Sequence, residues 1–317
     1  MTSDITLFVN PTAGRGRGAR AARPAAEAFR DAGFRVRVLL GHDAADALRR
    51  AREAVAEGTG ALVAVGGDGM ISLALQAVAG TDTPLGIVAA GTGNDFARTL
   101  GLPLGDPVAA ARVTAETLRT TGGSAIDLGR IEGGTRGGRP GTDASPLPRW
   151  YGTVLASGFD SRVNDRGNRM RLPAGRFKYD LAILAELAAF RPVPYRLSFD
   201  DGRVLETEAT LVAVGNGTSY GGGMRICADA RPDDGLLDVT VVGDCDRRTL
   251  VKVFPRVYRG THLGHPVVTT HRVRSVTLDA PGTTGYADGE PLGPLPLTVT
   301  CAPGALRILA PLPARNP

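Results

Sequence analysis

The sequence predicts two domains, a parallel α/β domain followed by an antiparallel β-domain that forms a sandwich or barrel. First, 317 residues suffice for two domains at roughly 100 to 200 residues each. Second, residues 1–123 alternate short apolar strands with helical stretches, which is typical of a parallel sheet flanked by helices. Third, short alternating runs separated by turn residues begin at residue 124 and indicate an antiparallel sheet. We therefore assign 1–123 and 124–303 to separate domains and expect 304–317 to complete the first.

Apolar runs predict four strands in the first domain, at residues 5–10, 34–40, 61–65 and 85–89. Helical stretches follow the strands. An Ala-rich segment predicts a helix that ends near Gly33, Asp43 can cap a second helix that runs to Glu57, and residues 71–79 have helical character.

In the second domain the predicted strands share an alternation of apolar and polar residues, and they are residues 125–131, 150–156, 195–199, 207–215, 236–242, 273–278 and 297–301. A helix is predicted over 176–190, and the polar segment 133–148 is expected to form a mobile hairpin loop. A last strand over 306–310 is expected to pack back on the first domain.

Composition excludes several classes of protein. The three cysteines, Cys227, Cys245 and Cys301, are far apart and form no CxxC pair, which argues against a disulfide scaffold or structural zinc and suits a reducing cytosol. No apolar run approaches the roughly 18 residues that a membrane span needs. The net charge of +5 favours anionic partners such as nucleotides or acidic lipid. We expect a cytoplasmic protein that is at most peripheral to a membrane.

Three glycine-rich turns predict phosphate binding, and they span residues 10–16, 66–69 and 91–95. Each follows a predicted strand, and in a parallel α/β domain such turns meet at one edge of the sheet, where backbone N–H groups bind anions. The common nucleotide motifs are absent. Gly14 and Gly16 match the first two glycines of the dinucleotide-binding fingerprint, but its third glycine would stand at position 19, which is Ala. The P-loop motif is also absent, because the chain contains no GKS or GKT.

Carboxylates accompany these turns. Asp68 and Asp95 either cap the following helices or belong to a magnesium-phosphate site, since Mg²⁺ is bound by one or two carboxylates with phosphate oxygens and waters. In the second domain Asp288 and Glu290 stand two residues apart, so in an extended segment their side chains would lie on the same face. One carboxylate could then take a proton from a hydroxyl as a general base while the other orients that hydroxyl or holds Mg²⁺. An exposed turn is the alternative. The acidic turn at 231–236 could hold a divalent ion or be a plain hairpin turn.

Taken together, these motifs resemble the diacylglycerol kinase catalytic family, which includes bacterial lipid kinases and the sphingosine and ceramide kinases. The resemblance covers nearly the whole chain and rests, in order, on VNPTAGRGRG, VAVGGDG, GTGNDFARTLGLP, ASGFDSRV, GRFKYDLAILAEL, VGNGTSYGGGMRICADARPDDGLLDV and YADGEPL. It implies a Rossmann-like domain of the NAD-kinase and phosphofructokinase type, a C-terminal β-sandwich, and an active site in the cleft between them.

The resemblance also implies roles for individual residues. Those expected to bind ATP are Asn10, Gly66, Gly67, Asp68, Gly69, Ser72, Gly91, Thr92 and Asn94. Asp68 and Asp95 would organise Mg²⁺ and its waters, and Asp288 with Glu290 would supply the base that activates a lipid hydroxyl. A structural Mg²⁺ would be held at Arg231, Asp234 and Leu236, with two contacts from backbone carbonyls.

The chain departs from the family pattern at two places. After GGDG the family has Thr, a hydrophobic residue and Asn-Glu, whereas this chain has Met70, Ile71, Ser72 and Leu73. Ser72 is the expected replacement for the lost nucleotide contact. A family Thr that touches ATP before the second helix has no counterpart among Leu39, Leu40 and Gly41. Both changes are expected to alter nucleotide binding while they leave every carboxylate in place.

The sequence thus predicts an ATP- and Mg²⁺-dependent lipid kinase, with diacylglycerol as the first choice of acceptor and a role in phospholipid biosynthesis. The expected partners are a lipid at the inner face of the plasma membrane and a second copy of the chain, since family members are often dimers; no nucleic acid is expected. The helix over 176–190 either faces acyl chains or lies in the core. A NAD-kinase-like phosphotransferase and a catalytically weak nucleotide-binding regulator remain alternatives.

Overall fold

A computed structural model describes residues 4–10, 13–133, 149–158 and 192–312, without the side chains of 13–15. The first domain alternates strands and helices. Its elements in chain order are β1 (Asp4–Val9), α1 (Ala13–Asp31), β2 (Arg35–Leu40), α2 (Ala44–Ala56), β3 (Ala61–Gly66), α3 (Asp68–Val78), β4 (Leu85–Ala89), α4 (Asp95–Thr99) and α5 (Pro107–Thr120).

The four strands form a parallel sheet in the order β2-β1-β3-β4. Every residue of β3 and β4 is buried, because helices cover both faces of the sheet. One hydrophobic cluster lies on the face covered by α2 and α3, and a second lies on the face covered by α1 and α5. The carboxyl ends of β3 and β4 therefore meet at one edge, where Gly66 pairs with Ala89.

The second domain is an antiparallel assembly with one helix among its described residues. Its elements are β5 (Ser124–Gly133), β6 (Arg149–Tyr151), β7 (Val154–Gly158), β8 (Val193–Phe199), β9 (Val204–Gly215), β10 (Leu237–Gly243), α6 (Arg247–Arg259), β11 (Val268–Val273), β12 (Ser275–Asp279), β13 (Thr284–Ala287), β14 (Glu290–Pro294) and β15 (Leu297–Ile308). Inward-facing apolar residues of β7, β8, β9, β10, β12 and β15 form its core. The predicted fold class is confirmed.

One strand joins the two domains. β15 pairs antiparallel with β5 over most of its length, and its last residue, Ile308, pairs in parallel with Leu85 of β4. The backbone N–H of Leu309 also donates to the Leu85 carbonyl at 2.8 Å. The strand predicted over 306–310 is thus the end of the long β15, whose register shifts between Ala302 and Leu306.

Several predicted elements were wrong in extent. The third helix begins at Asp68 rather than at residue 71, directly after the turn glycine. The run 150–156 is two strands, β6 and β7, separated by Gly152 and Thr153, and the run 273–278 belongs to β11 and β12. The helix α6 and the hairpin β13–β14 were not predicted. The helix predicted over 176–190 lies outside the described residues, as does residue 134 onwards of the predicted loop at 133–148.

Among the described residues no helix combines the length and apolar character that crossing a bilayer requires.

Candidate active site

Two of the glycine turns touch each other at the edge of the parallel sheet. A Cβ atom on Gly91 would lie 2.5 Å from the Cα of Gly67, and a Cβ on Gly67 would lie 3.1 Å from the Cα of Gly91. Any side chain at Gly91 would therefore force the turns apart. The glycines bring the backbone after β3 next to the backbone after β4 and leave open space above it.

Asp68 fastens these two turns together. Its Oδ2 accepts a hydrogen bond from the backbone N–H of Asn94 at 2.7 Å, and its Oδ1 accepts one from Asp95 at 2.8 Å. Gly93 makes room for this carboxylate, because a Cβ there would lie 2.6 Å from Asp68 Oδ2. Asp68 thus satisfies two N–H groups at the start of α4, whereas the sequence offered it as a cap of the helix that follows it, α3, in which it is the first residue.

Asn94 closes the second turn from within. Its backbone is left-handed, with φ of 55°, a conformation in which Asn is among the more tolerated residues. Its side-chain Oδ1 accepts from Gly91 N at 2.9 Å and its Nδ2 donates to Gly91 O at 3.1 Å. The buried amide of Asn94 is therefore engaged with the turn itself.

Asp95 connects the first domain to the second. Its two carboxylate oxygens accept hydrogen bonds from the backbone N–H groups of Gly222 and Gly223, both at 2.8 Å. Burial raises the pKa of the Asp95 carboxyl to about 6, the two hydrogen bonds oppose this shift, and the nearby charge of Asp68 adds to it. This carboxylate fixes the loop after β9 against α4.

Asp288 occupies the turn of the β13–β14 hairpin. It has φ of 49° and Gly289 has φ of 84°, so the segment is a tight turn and not the extended run that the sequence suggested. Its Oδ2 accepts from Gly152 N at 2.9 Å, and its Oδ1 accepts from Thr153 N at 2.9 Å and from the Thr153 hydroxyl at 2.5 Å. Burial raises the pKa of Asp288 even though these three bonds favour the carboxylate.

The loop that holds Asp288 is itself anchored. Buried Asn216 donates from Nδ2 to the carbonyls of Gly152, at 3.1 Å, and Asp127, at 2.9 Å. The backbone N–H groups of Asn216 and Gly217 both donate to the Thr153 carbonyl. The break between β6 and β7, which the sequence did not predict, is where Gly152 and Thr153 turn their N–H groups towards Asp288.

A cavity of about 310 Å³ lies where these parts meet, which is within the range of small-molecule sites. Both domains line it, and its residues are Gly67, Asp68, Gly69, Gly91, Thr92, Asp288, Gly289 and Glu290. The exposed Glu290 reaches over the first turn of α3, since a Cβ on Gly69 would lie 3.3 Å from Glu290 Oε1. The N-cap residue of α3 is Gly67, so no N-cap side chain accepts a hydrogen bond from the first backbone N–H groups of this helix.

Seven of the predicted site residues line this cavity, and the others do not. Asn10, Gly66, Ser72, Asn94 and Asp95 are not among the described residues that line the cavity. Asn10 directly follows β1, and half-buried Ser72 lies in the second turn of α3, where its carbonyl accepts a hydrogen bond from the Gln76 side chain. Met70, which replaces a family threonine, is 5% exposed and packs in the first-domain core. These predictions of nucleotide contact stay predictions.

The turn predicted to hold a structural Mg²⁺ has another cation beside it. The guanidinium of Arg272 pairs with Asp234 Oδ2, and Leu236 N donates to Asp234 Oδ1 at 3.1 Å. Arg231 lies 3.4 Å from Asp233. In the part of the chain that is described, no group of three His, Cys, Asp or Glu side chains is placed to hold a metal. The guanidinium of Arg272 thus compensates Asp234 in this structure, and the Mg²⁺ contacts expected at Arg231, Asp234 and Leu236 stay predictions.

Sequence reasoning missed the backbone donors. Gly152 and Thr153 bind Asp288, and Gly222 and Gly223 bind Asp95. The only signal was the run of three glycines at 221–223, all of which have positive φ. A donor that lies more than a hundred residues from its acceptor leaves no local pattern.

Two family models match the chain. The model described as the diacylglycerol kinase catalytic domain matches residues 4–131. The model described as the YegS C-terminal NAD kinase beta sandwich-like domain matches residues 153–310. Together they cover both domains of the structure.

Relatives match over almost their whole length. A diacylglycerol kinase of Mycobacterium tuberculosis strain H37Rv is 44% identical over 97% of this chain and 95% of its own. A protein of Pseudomonas aeruginosa strain PAO1, named "Probable lipid kinase YegS-like", is 32% identical over 100% of this chain and 97% of its own. The crystal structure of a diacylglycerol kinase from Bacillus anthracis strain Sterne superimposes with a TM-score of 0.71 at 21% identity, covering 98% of this chain and 97% of that one, which shows a shared fold.

Proposed function

The chain belongs to the diacylglycerol kinase family, and from that premise we propose that it transfers the γ-phosphoryl group of ATP to the hydroxyl of a lipid, with diacylglycerol as the preferred acceptor. The observation that carries this proposal is the cavity in which a glycine-lined helix start from one domain faces Asp288 and Glu290 from the other. Such a site places a phosphate-binding element opposite a proton acceptor.

The first domain would hold the phosphates of ATP. The turn glycines Gly67, Gly69 and Gly91 have no side chains to exclude an anion, and the first N–H groups of α3 have no intrahelical acceptor. Mg²⁺ would arrive as part of the MgATP substrate, and the carboxylates of Asp68 and Glu290 at the cavity are the hard oxygen ligands that it prefers. Asp95, which does not line the cavity, would hold the second domain in place through its hydrogen bonds with Gly222 and Gly223.

Asp288 would be the general base. A carboxylate has about four acceptor positions, three of which the Gly152 and Thr153 donors occupy, so one remains for a substrate hydroxyl. The acceptor oxygen would attack the γ-phosphorus as its proton passes to Asp288, and the bond from that phosphorus to the β–γ bridging oxygen would break, which leaves ADP. The raised pKa brings Asp288 closer to the value at which a base works near neutral pH.

The direct test measures transfer of labelled γ-phosphate from MgATP into diacylglycerol, a sphingoid base, ceramide and phosphatidylglycerol in mixed micelles, with NAD as a soluble acceptor. We expect label in one lipid and none with Asp288→Asn. Label in NAD alone would favour a NAD-kinase-like phosphotransferase. ATP binding with no label in any acceptor would favour a nucleotide-binding regulator, and either result would overturn the proposal.

A further inference from the structure

A strongly basic surface is carried by α6, the helix between β10 and β11. Residues 247–278 contain seven Arg or Lys and no Asp or Glu, whereas the whole chain has a net charge of only +5. Five of these cations lie on α6. The acidic residues closest to α6 along the sequence are Asp244 and Asp246, just before the helix, and Asp246 caps it by accepting from Thr249 N at 2.8 Å.

The exposed residues of α6 form one continuous stripe along the helix. They recur at intervals of three and four and are Arg247, Arg248, Val251, Lys252, Pro255, Arg256 and Arg259. We call this set the α6 stripe. Opposite it, Val253 and Val257 are buried against Met224 and Ile226. The helix is therefore held firmly by one face and offers the other to solvent.

The α6 stripe combines charge with apolar surface. Val251 is 54% exposed, the highest exposure among the large hydrophobic side chains of the described residues, and the flanking Leu250 and Phe254 are only half-buried. None of the cations of the stripe forms an ion pair with an acidic side chain within the described ranges. Unpaired cations that alternate with exposed apolar groups on one helix face are typical of helices that lie in the interface of an anionic bilayer.

From this placement we propose that the α6 stripe docks the protein on the surface of an anionic phospholipid bilayer. Negatively charged headgroups complement the cations, and the boundary between headgroups and acyl chains takes up Val251 and the edge of Phe254. A nucleic acid would satisfy the charges but would give Val251 no apolar partner, so a bilayer is favoured. The choice of a lipid partner rests on the proposed function, because the acceptor of a lipid kinase lies in a membrane.

The docked helix would be linked to the active site through one short segment. Residues 220–228 pack on α6, and Arg225 N donates to the Val257 carbonyl at 3.1 Å. The same segment contains Gly222 and Gly223, which bind Asp95. Only one layer of chain separates the proposed membrane contact from the carboxylate that joins the two domains, so docking would orient the cleft relative to the bilayer.

The test measures partitioning of the full chain onto vesicles of phosphatidylglycerol and phosphatidylcholine in equal amounts, and onto phosphatidylcholine alone, by co-sedimentation. The variant Arg256→Gln/Arg259→Gln removes two cations of the stripe. Its matched control, Arg30→Gln/Arg112→Gln, removes two exposed cations from α1 and α5. At about 1 kcal/mol for each cation near an anionic surface, we expect roughly 30-fold weaker partitioning for the first variant and little change for the control.

Further arms separate the alternatives. Val251→Asn should weaken partitioning onto the anionic vesicles several-fold without a change in charge. The wild type should not co-sediment with vesicles of pure phosphatidylcholine. Equal losses in both double variants, or no loss in the stripe variants, would overturn the proposal. So would tighter binding to duplex DNA than to anionic vesicles at the same salt concentration. Turnover of a water-soluble short-chain diacylglycerol should be unchanged in the stripe variants; if the wild type lacks it, the proposed function fails while the vesicle result still stands.

Discussion

The hydroxyl of Thr153 donates a hydrogen bond of 2.5 Å to Oδ1 of Asp288 across the boundary between β7 and the β13–β14 hairpin. The same oxygen also accepts from Thr153 N, so a single residue provides two of the three bonds on this carboxylate. Burial and hydrogen bonding therefore act in opposite directions on the Asp288 pKa, and burial dominates.

Removing that hydroxyl should shift the pH dependence of turnover. Thr153→Val keeps the side-chain shape but removes a donor that stabilises the charged carboxylate, so the pKa of Asp288 should rise further. Because a base works only when deprotonated, the acid limb of the kcat/KM profile should move to higher pH. Thr153→Ser retains the hydroxyl and should leave the limb near its original position. A limb that is unmoved in the valine variant would mean that Asp288 does not titrate in the reaction.

The two carboxylates of the hairpin turn should be separable by substitution. Asp288→Asn and Glu290→Gln should both fold normally and lose most turnover, by about 10²-fold or more for a base. We expect Asp288→Asn to lower kcat with little effect on the KM for ATP, whereas Glu290→Gln should also raise the KM for MgATP, because Glu290 lies over the start of α3. Circular dichroism checks the folding, and undiminished rates in both variants would refute the assigned roles.

Gly93 should tolerate no side chain. In Gly93→Ala the new Cβ would lie 2.6 Å from Asp68 Oδ2, so this carboxylate would have to leave the N–H groups of Asn94 and Asp95. We expect a loss of about 1–3 kcal/mol in the free energy of unfolding and a KM for ATP raised about tenfold. Gly264→Ala is the matched control, since a Cβ there meets no atom within 4 Å. Comparable losses in both variants would contradict the steric explanation.

Asp238 should make the protein less stable as the pH rises. Burial raises the pKa of this carboxyl from 3.8 to about 6, although Arg272 opposes the shift. A raised pKa contributes stability that is fully present below pH 3.8 and lost as the pH rises through 6, about 3 kcal/mol in all. Asp238→Asn does not titrate, so its free energy of unfolding relative to wild type should increase between pH 4 and 7.

Urea unfolding at a series of pH values measures this difference. Asp201→Asn is the control, because a hydrogen bond from the Arg203 backbone N–H holds the pKa of that exposed carboxyl below 3.8, so its titration lies below the window. Parallel stability curves for wild type and Asp238→Asn from pH 4 to 7 would rule out the raised pKa.

The parallel sheet was predictable from the sequence because its strands are continuous apolar runs. Residues 85–89 are all buried and match β4 residue for residue. The helix α6 escaped prediction because Pro255 interrupts its pattern, yet the proline sits on the exposed face, where the helix tolerates it. The β13–β14 hairpin was missed although its turn, Asp288-Gly289, is a dipeptide typical of two-residue hairpin turns. The reason is that β14 contains Pro291, Gly293 and Pro294, residue types that are depleted in strands.

The candidate site was predictable in its residue types but not in its connections. Glycine turns and carboxylates are local patterns, and those at 66–69, 91–92 and 288–290 do meet at one cavity. The pairing of Asp95 with Gly222 and Gly223 depends on how two domains pack, which no local spacing encodes. Tertiary packing also determines the position of Met70, whose side chain is buried in the first-domain core and does not line the cavity.

The strand that joins the two domains has a consequence for how the chain acquires its structure. The open edge of β4 at Leu85 is covered by Ile308, which the ribosome adds more than two hundred residues later. Until β15 has been synthesised, the nascent first domain therefore exposes the edge of the apolar strand β4, and an exposed strand edge is prone to pair with other chains. Removing the residues that form the end of β15 would leave this edge of the first domain permanently uncovered, so excising that domain as a separate module should yield aggregates rather than a folded fragment.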